Sequence, residues 1–98
     1  MTFGDANRIG ANGTSGAALW KFHYNYGICL AQTGRLQEAL SAFLKARDLK
    51  MEEAPLYTAL GATYARLGRR TEAREALQKA LSLDPGHPEA RRMLEALR

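Results

Sequence analysis

Apolar residues recur at helical spacing in five successive segments of the chain. They cover roughly residues 17–33, 36–49, 55–67, 71–83 and 89–98. In the first segment, Tyr26, Gly27 and Leu30 fall on one predicted face together with His23. Gly34 and Gly68 follow the first and third segments, and glycine favours the positive φ that ends many helices. The pattern predicts an all-α chain of five helices.

The first and second of these segments match the third and fourth with a sequence period of 34 residues. Small or apolar residues recur at matching positions: Gly27 and Gly61, Gly34 and Gly68, Ala39 and Ala73, Phe43 and Leu77, Ala46 and Ala80. A period of this length is typical of helical repeats. We expect the two helices of each hairpin to approach closely at Gly27 and Gly61, where Phe43 and Leu77 fill the remaining space.

These residues resemble the pattern of the tetratricopeptide repeat (TPR) family over residues 20–98. The second repeat carries most of the likeness, through Tyr57, Leu60, Gly61, Tyr64, Ala73, Leu77, Ala80 and Pro85. The first repeat departs at His23 and Met51. The resemblance implies a right-handed helical solenoid of two helix-turn-helix repeats, residues 20–53 and 54–87. We read residues 88–98 as a C-terminal capping helix and residues 1–16 as a flexible tail before a domain spanning 17–98.

Composition excludes several classes of protein. No apolar run approaches the roughly 18 residues that span a bilayer, so we expect a cytoplasmic domain, unless the sequence is part of a longer exported or anchored protein. The single Cys29 excludes an internal disulfide and a thiolate metal cluster. Cys29 and His23 are six residues apart on one predicted helix, so they point about 120° apart and cannot act as a nucleophile and base. We expect no enzyme activity, no metal site and no cofactor, and a half-buried Cys29.

The resemblance implies a concave binding surface built by the first helix of each repeat. Mapped onto this chain, its residues are Tyr24, Asn25, Ile28, Gln32, Thr58, Ala62, Ala65, Arg66 and Arg92. Such a groove takes a peptide or a partner helix. We expect an apolar anchor near Tyr24 and an acidic group near Arg66 and Arg92. The predicted function is therefore a non-catalytic protein-binding adaptor or scaffold, co-chaperone-like in kind, although the carboxylate clamp of chaperone-binding relatives is absent.

Two alternatives remain open at this point. Trp20, Tyr24 and Ile28 form a second apolar stripe on the first helix, which favours a homo-oligomerisation module. The net charge is +4, and arginines gather in the C-terminal half. A nucleic-acid-associated role is weaker, because acidic residues lie among these arginines and no aromatic platform accompanies them.

Overall fold

Five α-helices make up the part of the chain that the structure describes. The computed structural model describes residues 15–49 and 52–97, with side chains from Leu19 onward. The helices are α1 (Ser15–Gln32), α2 (Leu36–Asp48), α3 (Ala54–Arg66), α4 (Arg70–Leu83) and α5 (Pro88–Ala96). These ranges contain no strand, so the all-helical prediction is confirmed. Of the predicted tail, residues 1–14 lie outside the described residues, while Ser15 and Gly16 belong to α1.

A Schellman turn ends α1. Gly34 has φ of 83°, and its N–H donates to the carbonyl of Ala31 at 3.1 Å. The N–H of Arg35 reaches back to the carbonyl of Leu30 at 2.8 Å. These two bonds satisfy carbonyls at the helix end that would otherwise lack a partner. The positive φ explains why glycine occupies this position.

The turn after α3 repeats this geometry 34 residues later. Gly68 has φ of 81°, and the N–H of Arg69 donates to the carbonyl of Tyr64 at 2.9 Å. In both turns the arginine after the glycine forms a two-bond ion pair with a glutamate of the next helix. The pairs are Arg35 with Glu38 and Arg69 with Glu72. The sequence period therefore corresponds to a repeated local structure.

In both hairpins, α1–α2 and α3–α4, the two helices meet at a glycine, as the sequence predicts. A Cβ atom on Gly27 would lie 2.7 Å from the Phe43 ring, and one on Gly61 would lie 2.6 Å from Cγ of Leu77. Real Cβ atoms do not approach other atoms so closely, so each glycine allows its helix to contact the next. Phe43 and Leu77 are almost fully buried at these contacts.

The core runs along the whole described part of the chain. Every helix packs against the next one in sequence, and α3 also contacts α1 and α5. Buried apolar residues link all five helices: Leu30, Ala39, Leu40, Ala42, Phe43, Ala46, Ala54, Leu56, Tyr57, Leu60, Ala76, Leu77, Ala80 and Ala90. None of the described helices combines the length and the apolarity needed to cross a membrane. The contacts place α1, α3 and α5 side by side, and these three helices carry the predicted binding surface.

Candidate functional site

An open pocket lies between α1 and α3, where α2 forms its floor. Its volume is about 170 Å³. Most of its lining is apolar, with polar groups at one end. The lining residues are Ile28, Ala31, Gln32, Phe43, Ala59, Ala62, Thr63 and Arg66. A concave apolar surface with a few polar groups is the usual form of a binding site.

A second pocket continues the same surface between α3 and α5. It measures about 140 Å³ and is almost entirely apolar. Its lining residues are Gly61, Ala65, Leu77, Met93, Ala96 and Leu97. Ala62 in the first pocket and Ala65 in the second are separated by less than one turn of α3. The two pockets therefore lie on either side of α3, and we call the surface that carries them the α1–α3–α5 groove.

The structure brings five of the nine predicted groove residues into these pockets. Ile28, Gln32, Ala62 and Arg66 line the first pocket, and Ala65 lines the second. Asn25 and Arg92 are exposed and lie outside both linings. Met93, the next residue along α5, lines the second pocket in place of Arg92.

Thr58 is placed differently from the prediction. Its side chain is buried, and its hydroxyl donates to the carbonyl of Ala54 at 2.9 Å within the same helix. A threonine in a helix often makes this bond to the residue four positions earlier. The hydroxyl is therefore already used, and Thr58 is not accessible to a partner.

Tyr24 is half-buried and lines neither pocket, but lies near the start of α3, beyond one end of the groove. Its ring packs against Phe43, with 6.0 Å between ring centroids. Burial raises the pKa of Tyr24, and the negative charges of Glu89 and Glu53 raise it further. Two carboxylates therefore act on the Tyr24 hydroxyl, and this end of the groove disfavours an acidic partner group.

Arg66 stands at the opposite end and has a structural bond of its own. One Nη of its guanidinium donates to the carbonyl of Ala31 at 3.1 Å, which links α3 to the last turn of α1. A guanidinium has five N–H donors, so further donors remain for a ligand. Arg66 thus contributes both to the packing of α3 on α1 and to the positive end of the groove.

Several other arginines of the C-terminal half also make internal contacts. Arg70 donates to the carbonyl of Leu97 at 2.8 Å, and Arg91 donates to the carbonyl of Pro85 at 2.8 Å. Arg69 pairs with Glu72 and lies over the ring of Tyr64. These contacts do not form the dense, unopposed basic stripe that phosphate binding favours.

The exposed aromatic residues of α1 differ from those predicted. Trp20, Tyr24 and Ile28 were expected to form an open self-association face, but all three are half-buried and packed against the core. Tyr26 was expected to face α2, yet it is exposed and stacks on Phe22 at 6.0 Å between centroids. The sequence period could have indicated this face. Positions 22 and 26 correspond to the apolar Leu56 and Leu60, which occupy the same positions in the first helix of the second hairpin.

Two observations concern the residues that could carry chemistry, Cys29 and the possible metal ligands. Cys29 is exposed rather than half-buried. Within residues 15–49 and 52–97, no three His, Cys, Asp or Glu side chains are grouped closely enough to hold a metal ion. The two pockets of the groove offer an apolar contact surface with a few polar groups.

Comparison with known families changes the interpretation of the repeat. A family model described as "RMD1-3: Regulator of microtubule dynamics protein 1-3" matches residues 23–98, from the middle of α1 to the end of the chain. None of the curated proteins compared with the chain matches it. The match overturns the TPR assignment, which was wrong as a family identification. Small residues at helix contacts and glycine at turns are required by any close α-hairpin, so they specify packing rather than family.

Proposed function

Because the chain belongs to the family of Regulator of microtubule dynamics protein 1-3, we propose that it regulates microtubule dynamics by binding another protein. Its role is non-catalytic. The partner occupies the α1–α3–α5 groove, and the observation that carries this proposal is the pair of apolar pockets on either side of α3. The groove offers a continuous surface to an extended segment or a helix.

The architecture that we propose for this module is a short right-handed solenoid of two α-hairpins and a final helix. The same Schellman turn and the same close approach at glycine occur in both hairpins. Consecutive helices pack in chain order, and α3 contacts both α1 and α5. This arrangement supports a concave side formed by α1, α3 and α5.

The charges at the two ends of the groove favour one orientation of the partner. Glu53 precedes α3 and Arg66 is its last residue, so the two ends are about 20 Å apart at 1.5 Å per residue. A partner group with negative charge is favoured beside Arg66 and disfavoured beside Tyr24, where Glu53 and Glu89 act. The partner therefore carries its acidic group at the Arg66 end and an apolar side chain over Ala62.

A charge placed in the groove tests this proposal. Ala62 is half-buried in the first pocket, so Ala62→Glu introduces a carboxylate where the partner's apolar side chain would be desolvated. Gln78→Glu adds the same charge at an exposed position of α4 and serves as the matched control. Binding to purified tubulin and to assembled microtubules is measured by co-sedimentation, and assembly is followed by turbidity.

We expect wild type and Gln78→Glu to bind and to change the assembly rate equally, and Ala62→Glu to bind at least about tenfold more weakly. Equal binding by all three proteins would remove the groove from the proposal. Absence of any binding or effect by the wild type would overturn a direct action on tubulin. Circular dichroism of each variant establishes that its helices are intact.

The homo-oligomerisation reading through Trp20, Tyr24 and Ile28 is less well supported. These side chains already pack against the core of their own chain. A second copy would gain only the remaining exposed fraction of each side chain. We therefore propose the groove and a different protein as the basis of function.

A further inference from the structure

A second apolar surface lies on α1, away from the groove. Leu19, Phe22 and Tyr26 are exposed residues, with relative solvent accessibilities of 44%, 60% and 49%. Their spacing of three and four residues places them on one face of the helix. Phe22 and Tyr26 stack with an angle of 15° between their rings. Large apolar side chains grouped in this way mark an interaction surface.

The internal repeat shows what normally covers this face. Phe22 and Tyr26 correspond to Leu56 and Leu60, 34 residues later, and those leucines are 0% and 2% exposed. The difference arises because α2 packs against α3, whereas no described helix packs against the corresponding face of α1. An α-helix equivalent to α2 therefore fits the open face of α1.

Two pockets make the comparison more detailed. The pocket beside Phe22, of about 260 Å³, and the pocket beside Leu60, of about 200 Å³, are lined by corresponding residues of successive repeats. The pocket beside Phe22 contains Tyr26, Glu38 and Lys45. Their counterparts in the pocket beside Leu60 are Leu60, Glu72 and Lys79. The pocket beside Leu60 has an additional wall, which Leu44 and Arg47 of α2 form. The pocket beside Phe22 thus matches the pocket beside Leu60, except that it lacks the helix that precedes the repeat.

We propose that the Leu19–Phe22–Tyr26 face binds an amphipathic helix of another polypeptide that presents an apolar residue followed three positions later by a basic residue. This spacing copies Leu44 and Arg47, which complete the equivalent pocket. The apolar residue packs on Phe22 and Tyr26. The basic residue lies beside Glu38, as Arg47 lies in the pocket that contains Glu72.

The chain itself does not offer such a helix. In a second copy of the chain, α2 and α4 are already occupied. Its Leu44 and Arg47 line the copy's own pocket against α3, and its α4 packs against its own α5. Residues 1–14 contain no apolar residue followed three positions later by Lys or Arg. Residues 1–98 therefore do not supply the occupant, which we place on a separate polypeptide. This inference concerns a different face from the groove and does not depend on the proposed function.

The test uses the full chain and a synthetic peptide with the sequence of α2, LQEALSAFLKARD, residues 36–48. An isolated helix of this length is only marginally stable in water, so binding is followed by NMR titration of labelled chain at millimolar peptide. The control peptide carries the equivalents of Leu44→Glu and Arg47→Glu. The control chains are Phe22→Glu, which changes the face, and Leu83→Glu, which changes an exposed leucine on α4.

We expect amide shifts that cluster at residues 19–30 and 38–45 with the α2 peptide, and no shifts with the control peptide. Leu83→Glu binds like wild type, and Phe22→Glu binds at least about tenfold more weakly, as on removal of a buried aromatic anchor. Shifts centred on Ala62 and Ala65 of the groove, or equal binding by Phe22→Glu, would overturn the proposal. A wild-type dimer in sedimentation that Phe22→Glu dissociates would assign the face to a second copy and also overturn it.

Discussion

The two helical hairpins share their internal contacts and differ in their outer surfaces. In both, a glycine of the first helix meets a fully buried side chain of the second, and the same turn joins the helices. Outside the hairpin, Phe22 of α1 is exposed while Leu56 of α3 is buried. The comparison teaches that contacts within a hairpin follow from its own sequence, whereas burial of its outer face depends on which helix lies beside it.

The largest expected change in stability comes from replacing a phenylalanine by alanine at each of these two kinds of position. Phe43→Ala removes a buried ring at the centre of the first hairpin, so we expect the free energy of unfolding to fall by about 3–5 kcal/mol. Phe22→Ala makes the same change on the exposed face and should alter stability by less than about 0.5 kcal/mol. Urea denaturation followed by circular dichroism measures both. Similar losses for the two variants would mean that the α1 face is covered in the isolated chain.

A smaller effect compares the two glycine contacts directly. Ala at position 61 places a methyl group against Leu77 and 3.3 Å from the carbonyl of Ala73, whereas Ala at 27 meets only the Phe43 ring. Overpacking costs about 1–3 kcal/mol, and alanine regains about 1 kcal/mol of helix propensity. We expect Gly61→Ala to lose about 1–2 kcal/mol and Gly27→Ala to lose less.

A double-mutant cycle provides the control for the glycine contacts. Gly61→Ala combined with Leu77→Ala should cost less than the sum of the single changes, because the smaller residue at 77 makes room for the new methyl group. Additive losses would show that the methyl group at 61 is accommodated without contact with Leu77. The same urea measurements apply.

The smallest effect distinguishes the hairpins through pH. Tyr24 of the first hairpin corresponds to Thr58 of the second, and burial raises the pKa of Tyr24 above its ordinary value of 10.0. As pH rises, the Tyr24 hydroxyl therefore loses its proton in the unfolded chain before it does so in the folded chain. The stability that the protonated Tyr24 contributes is complete below about pH 10 and is lost as pH rises through the folded pKa. Tyr24→Phe should show a shallower loss of stability above pH 10 than wild type. Identical pH profiles in thermal unfolding would contradict this expectation.

Much of the fold could be predicted because its determinants are local. Glycine at positive φ and the spacing of Ala39, Phe43 and Ala46 depend on a single hairpin, and the period repeats them. The site was less accessible to sequence reasoning. Thr58 was assigned to the surface because helical spacing alone does not show that its hydroxyl bonds to Ala54. The exposure of Tyr26 depends on the absence of a neighbouring helix, which periodicity within one helix does not report.

The family was also beyond the reach of the repeat pattern. Residues such as Gly61 and Ala73 satisfy a packing requirement that many families share. Membership follows instead from the match over residues 23–98 as a whole. The acidic groups near Tyr24 belong to Glu53 and Glu89, which are distant from Tyr24 in sequence, so the charge at that end of the groove required the three-dimensional structure.

The two Schellman turns have a consequence for how the chain folds. Each turn brings together residues that are close in sequence, and such contacts form with little loss of chain entropy. Proteins dominated by local contacts fold within microseconds to milliseconds. We therefore expect folding to begin at either of two equivalent turns, one at Gly34 and one at Gly68. Formation of either hairpin provides a surface on which the other condenses.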